Sequence, residues 1–140
     1  MPLWKIYHPK NAFTVEEKKG FANAISDVYA RQMPRFYVGV LFQEVEADSF
    51  YIGGEPNGNF VRIWVDHIAR TLPSAEARTN FIQFIAKVVE PWVKDRGWEL
   101  HVDETPFELW TIQGYLPPRQ GTDDEKRWIV ENRPSPRTHD

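Results

Sequence analysis

The sequence predicts an α/β (α+β) fold of two β-α-β halves in tandem: a four-stranded, largely parallel sheet with two helices on one face, a hairpin and a C-terminal arm. Three observations predict it. Strand-like alternation or apolar runs occur four times, and each half places one helix-periodic segment between two of them. A turn-rich stretch of Gly53, Gly54, Pro56, Asn57 and Gly58 divides halves of similar length, about residues 1–50 and 58–105. A crossover helix between consecutive strands implies parallel pairing and right-handed units.

The first strand covers Leu3–Tyr7, with Pro2 at its head, where a missing N–H does no harm. Thr14 and Glu17 form a capping box that opens a helix. Phe21, Ile25, Val28 and Gln32 repeat at helical spacing, and Pro34 ends the run. Phe36–Glu46 is almost continuously apolar and reads as a strand buried on both faces. Phe60–Ile68 alternates, with Val61, Ile63 and Val65 on one face and Arg62, Trp64 and Asp66 on the other. Ser74 caps a second helix with Glu76 favourably placed against its dipole. Its stripe is Phe81, Ile85, Val88 and Trp92, Pro91 is expected to kink its last turns, and Gly97 stops it. Trp98–Asp103 is the fourth strand, with Trp98, Leu100 and Val102 facing one way. After Pro106 the chain is rich in proline and charge, with one amphipathic segment around Asp123–Asn132. This arm, residues 106–140, either packs on the body or a neighbouring subunit, or frays as a tail.

A chain of 140 residues suits one domain, and an apolar share of 41% suits a globular one. No run approaches the length of a membrane span, and MPLWKIYHPK lacks the apolar core of a secretory signal, so a cytoplasmic location is expected. The net charge of −3, with mixed signs, lacks the footprint of a nucleic-acid binder. The absence of cysteine excludes disulfides, thiol nucleophiles and Cys-based zinc sites. His8, His67, His101 and His139 show no metal-ligand spacing, and no G-x-S-x-G or glycine-rich phosphate loop occurs, so no metal or cofactor is expected.

The pieces Pro2-Leu3-Trp4, Ala24-Ile25-Ser26-Asp27, Phe42-Gln43-Glu44, Tyr51-Ile52-Gly53-Gly54, Arg70, Glu104-Thr105-Pro106 and Gly114-Tyr115-Leu116-Pro117 span most of the chain. In this order and spacing they resemble the tautomerase superfamily, and within it the group typified by cis-3-chloroacrylic acid dehalogenase. The resemblance implies a homotrimer acting on a small carboxylate, with Pro2 as the catalytic group once Met1 is removed. An amino-terminal proline nitrogen, freed of any peptide bond, can act as a general base, or as a general acid if charged. Arg70 matches the family arginine that holds the substrate carboxylate. A second family arginine is replaced by Pro73, so Arg62 or a neighbour's arginine is left to compensate. Tyr29, which can donate a hydrogen bond to a substrate carboxylate or carbonyl, stands where the family has a helix histidine. His101, which can polarise a substrate carbonyl or a water, stands where it has a tyrosine, so both are expected to assist catalysis. Each has a plain alternative, as a half-buried helix tyrosine and a solvated strand histidine.

The family's water-activating glutamate has no counterpart in Trp110-Thr111-Ile112-Gln113-Gly114. Gln113 can orient a water but cannot take its proton. The expectation is therefore a cofactor-free tautomerase acting on 2-oxo or unsaturated carboxylates. The alternatives are a haloacrylate dehalogenase or hydratase with a relocated base, and an inactive trimeric binding or scaffold protein.

Overall fold

The structure, a computed structural model, describes residues 1–138; His139 lies outside the described residues. Its elements are β1 (Pro2–Pro9), α1 (Val15–Tyr29), β2 (Gly39–Val45), the hairpin strands β3 (Tyr51–Ile52) and β4 (Glu55–Pro56), β5 (Phe60–Ile68), α2 (Ala75–Val93), β6 (Gly97–Thr105) and α3 (Asp123–Glu131). The main sheet is ordered β2-β1-β5-β6. β1 and β2 run parallel, as do β5 and β6, and the halves join along an antiparallel β1–β5 seam. The crossover argument fixes direction within each half only, so the sheet as a whole is mixed.

One face of the sheet is the core. Trp4 and Ile6 of β1 and Val61, Ile63 and Val65 of β5 are fully buried on it. Register places Trp98, Leu100 and Val102 of β6 beside the three β5 residues. α1 covers this face with Phe21, Ile25 and Tyr29, behind a complete Thr14–Glu17 capping box. α2 covers it with Ile85, Val89 and Val93. The predicted stripe is thus one position out at Val88, which is half-buried while Val89 points inward. Trp92 lies flat on Phe21, ring centroids 5.4 Å apart, and fastens the two helices together. Pro91 falls in the last turn of α2, two residues before the helix ends at Val93.

The expected strand over Phe36–Glu46 is shorter and less buried than its composition suggests. Arg35–Tyr37 form a single 3-10 turn after Pro34, and the Tyr37 side chain goes into the core. β2 is an edge strand paired only with β1, and Leu41 is 50% exposed on it. The arm folds back on its own body. Trp128 of α3 is fully buried, with ring centroids 5.9 Å from Phe36 and 6.1 Å from Tyr37. Asn132 closes α3 in the left-handed conformation and accepts the Phe36 N–H at 3.0 Å.

Candidate active site

The site forms at the end of the sheet where β1 begins and β5 ends. Pro2 and His67 sit opposite each other across the antiparallel seam, on the core face where α1 terminates. His67 continues the inward series Val61, Ile63, Val65, so strand alternation alone aims it into the protein. Tyr29, the last residue of α1, points its hydroxyl at the same place. It accepts the Trp4 Nε1–H at 3.1 Å and shares a 2.9 Å hydrogen bond with His67 Nε2. Burial holds the His67 ring neutral, with its pKa pushed down to about 4, and raises the Tyr29 phenol above its ordinary range. When His67 donates from Nε2, the Tyr29 proton is free for a ligand.

Beyond β5 the chain bends sharply. Ala69 has φ +67°, a left-handed conformation that costs a non-glycine residue about 1–3 kcal/mol. Its N–H donates to Thr105 O at 2.9 Å, which secures the bend and turns Arg70 toward Pro2. Pro2, Tyr29, His67 and Arg70 line one cleft of about 290 Å³. Met33, Leu72, Phe81 and Phe84 supply its apolar wall, and Gln120 of the arm lies at its rim.

The amino-terminal nitrogen is built into this end of the sheet. The Met1 amine donates to the Ile68 carbonyl, and the Met1 carbonyl accepts the Ile68 N–H at 3.0 Å. The amine's pKa is pushed down to about 5, first by burial and then by the Arg70 guanidinium, against opposing pulls from Asp66 and Glu125. Arg70 already has an anionic partner: Nη2 bonds the Glu125 carboxylate of α3 and also the Gln32 carbonyl at 3.3 Å. The second Glu125 oxygen accepts the Gly121 N–H at 2.7 Å, so both oxygens are engaged.

Over residues 1–133 the sequence matches the model of the family described as "Putative oxalocrotonate tautomerase enzyme". The chain belongs to the tautomerase superfamily. Native RhCC from Rhodococcus jostii RHA1 is 43% identical with a TM-score of 0.93, the match covering 96% of this chain and 99% of RhCC. N1, a member of the cis-3-chloroacrylic acid dehalogenase family, is 20% identical with a TM-score of 0.70, covering 93% and 97% of the two chains. A fused 4-OT described as an asymmetric trimer is 18% identical with a TM-score of 0.65, covering 81% and 94%. The last two likenesses concern the fold alone. Curated proteins yield no match.

In this tautomerase chain, three of the residues singled out from sequence, Pro2, Tyr29 and Arg70, share the cleft. Three do not line it. Arg62 and His101 lie on the opposite face of the sheet, joined by a 2.6 Å contact from Arg62 Nη2 to His101 Nδ1. His101 lines a separate open groove with Arg78 and Glu104. Gln113 is exposed at the tip of a tight turn, with φ +49° followed by Gly114 at +81°, closed by the Ile112–Tyr115 bridge. Among the described residues no three His, Asp or Glu side chains converge as a metal set. Sequence reasoning passed over His67 and Glu125 as site residues. Extending the β5 alternation by two residues finds His67; Glu125 reaches Arg70 only through the tertiary path of the arm.

Proposed function

We propose that this protein is a cofactor-independent tautomerase-type enzyme. Its base and acid is the Pro2 ring nitrogen, free once Met1 is removed, acting on small 2-oxo or unsaturated carboxylates. The observation that carries this reading is the setting of the amino-terminal nitrogen. An amine buried beside the Arg70 guanidinium is held largely uncharged near neutral pH. A proline nitrogen beginning the same strand shares that burial and that neighbour. An uncharged amine with a pKa at or below the working pH can abstract a proton from an enol O–H or an acidic C–H and return it to carbon. Tyr29 supplies a hydroxyl within the same cleft and Arg70 a positive charge, while the apolar wall takes the remainder of the substrate.

The test is ketonisation of phenylenolpyruvate by purified protein whose intact mass shows that Met1 is absent. Proton transfer by a positioned group contributes about 10²–10⁴-fold, so Pro2→Ala, whose primary amine differs in basicity and placement, should lose at least tenfold in kcat/KM. Equal rates would end the role of Pro2. A chain that retains Met1 has an amide at Pro2 and no base there, which favours the binding or scaffold reading.

One observation keeps a second reading in play. Glu125 places a carboxylate beside Arg70, where a relocated base for hydration or dehalogenation would stand. Because Glu125 does not line the cleft that Pro2, Tyr29 and Arg70 share, tautomerisation is the better supported chemistry. Chloride release from cis-3-chloroacrylate, abolished in Glu125→Gln, would reverse that order. The homotrimer is likewise proposed. The sheet face opposite the helices, with half-exposed Leu41 on its edge strand, is where subunits would meet, which would give Arg62 and His101 a route to a neighbour's site.

A further inference from the structure

We infer that removal of Met1 opens a second, polar end of the cleft, in which Tyr37, Trp110 and Arg70 hold the carboxylate of the substrate. This rests on the tautomerase reading above and deepens it by naming the subsite and the ligand group.

A void of about 10 Å³, room for about one water, lies against Met1, Tyr37, Arg70, Trp110 and Glu125. Two buried polar atoms belong to its lining residues and have no hydrogen-bond partner among the described residues: the Tyr37 hydroxyl and Trp110 Nε1. Tyr37 is 2% exposed and Trp110 9%. Their rings meet edge-on at 4.9 Å, and the Tyr37 hydroxyl feels the charges of both Glu125 and Arg70. Native proteins pair nearly all such groups, so two orphans around one void call for an explanation. Packing does not supply it, since phenylalanine would fill the Tyr37 position without a stranded hydroxyl.

The unpartnered groups around the void can act as donors: Trp110 Nε1 can only donate and the Tyr37 hydroxyl can donate. Arg70 and Glu125 are already paired with each other, and Glu125 also accepts the Gly121 N–H. The two free donors, beside the Arg70 guanidinium, suit a ligand oxygen that accepts from both. Met1 borders the void and not the cleft, and Pro2 the cleft and not the void, so the chain passes from one space to the other at the Met1–Pro2 bond, with Arg70 common to both. Cutting that bond joins the two spaces and leaves the proline nitrogen at the junction. A 2-oxo acid then fits with its carboxylate on Tyr37 and Trp110 and its reacting carbon at Pro2. Its apolar substituent lies against Phe81, Phe84 and Leu72. Met1 acts as a plug, and its excision both frees the base and opens the anion end.

Tyr37→Phe tests this most cleanly, because it deletes one donor and keeps the ring; Trp110→Phe is the companion. Both are compared with the parent, each with Met1 shown absent by intact mass. Two quantities are read: ketonisation kinetics with phenylenolpyruvate, and equilibrium binding of phenylpyruvate alongside phenylacetone, which lacks the carboxylate. Tyr37→Phe should raise KM and the Kd for phenylpyruvate about tenfold, equal to about 1.4 kcal/mol, with kcat changed less than threefold and phenylacetone binding unaltered. A merely structural role would shift both ligands alike and overturn the proposal. So would equal phenylpyruvate affinity in parent and Tyr37→Phe, or a parent that does not bind phenylpyruvate. A parent that binds phenylpyruvate through Tyr37 yet fails to ketonise supports the subsite while refuting the catalytic role of Pro2.

Discussion

Arg70→Met should destabilise the protein far more than a half-exposed arginine ordinarily would. The Arg70 side chain is 19% exposed and its partner Glu125 only 5%. Methionine replaces most of the arginine stem, so the main loss is the guanidinium. The Glu125 carboxylate would then be left in the interior with only the Gly121 N–H as a donor. Removing one partner of a buried pair costs about 3–5 kcal/mol because the other charge stays uncompensated. The surviving Gly121 bond and the partial exposure of Arg70 place the expectation at the lower end, about 3 kcal/mol. With a urea dependence of about 1–3 kcal/mol per molar for small proteins, the unfolding midpoint should fall by roughly 1–3 M. The assay is urea denaturation at fixed protomer concentration, since any assembly adds its own stability. The double variant Arg70→Met/Glu125→Gln should recover at least half the loss, because no bare charge remains and glutamine still accepts from Gly121. A single variant within 1 kcal/mol of the parent, or a double variant no better than the single, would show that Glu125 is not held as the structure indicates. Arg70 would then be free to grip substrate by itself.

Two further outcomes follow from packing and from burial. A Cβ at Gly20 would lie 2.6 Å from Trp92 Cη2, and that indole is pinned flat on Phe21. Gly20→Ala sets overpacking of about 1–3 kcal/mol against about 1 kcal/mol of helix propensity, so thermal unfolding by circular dichroism should show a fall of a few degrees; a rise would refute the close helix approach. His67 has a folded pKa of about 4, below the ordinary 6.5, so between those values the unfolded chain binds the extra proton and stability rises with pH. That contribution is fully present above pH 6.5 and is lost as pH falls through 4, by at most about 3 kcal/mol. His67→Gln removes the titration, so the stability difference between parent and variant should be flat above pH 7 and should move in the variant's favour by pH 4.5; a constant difference would refute the buried neutral ring.

What the sequence made legible was local or periodic. The Thr14–Glu17 box and the inward residues of β5 and β6 were readable because each follows from spacing along one segment. Pro2, Tyr29 and Arg70 were singled out by resemblance, and the fold brings them to one cleft. The rest depended on contacts between distant segments. The run from Phe36 looked like one long strand because Phe36 and Tyr37 are as apolar as the strand itself. Pro34 starts a 3-10 turn instead, and the Tyr37 ring leaves for Trp110 and Trp128, over 70 residues away. Glu125 was invisible for the same reason: 55 residues separate it from Arg70, and only the folding of the arm brings them together.

The strand alternation that built the site also ties it to the opposite face of the sheet. Asp66 and His67 are neighbours in β5 that point to opposite sides, and so do Pro2 and Leu3 in β1. The far side carries a connected polar and aromatic layer. Lys5 sits 4.1 Å from the Trp64 centroid, Trp64 stacks on His101 at 5.5 Å, and Trp64 Nε1 donates to Asp103 at 2.8 Å. Asp66 belongs to this layer and accepts the Thr105 hydroxyl at 2.7 Å, yet its charge also acts through the sheet to raise the pKa of the amino terminus. A subunit covering this face would withdraw water from Asp66 and strengthen that action, since charges are screened less where solvent is excluded. Glu125 pulls in the same direction from the arm, while burial and Arg70 pull the other way. The proton affinity of the amino terminus is thus set by opposing charges on three separately folded segments, β5, the bend after it and α3. No window of sequence around Pro2 contains that balance.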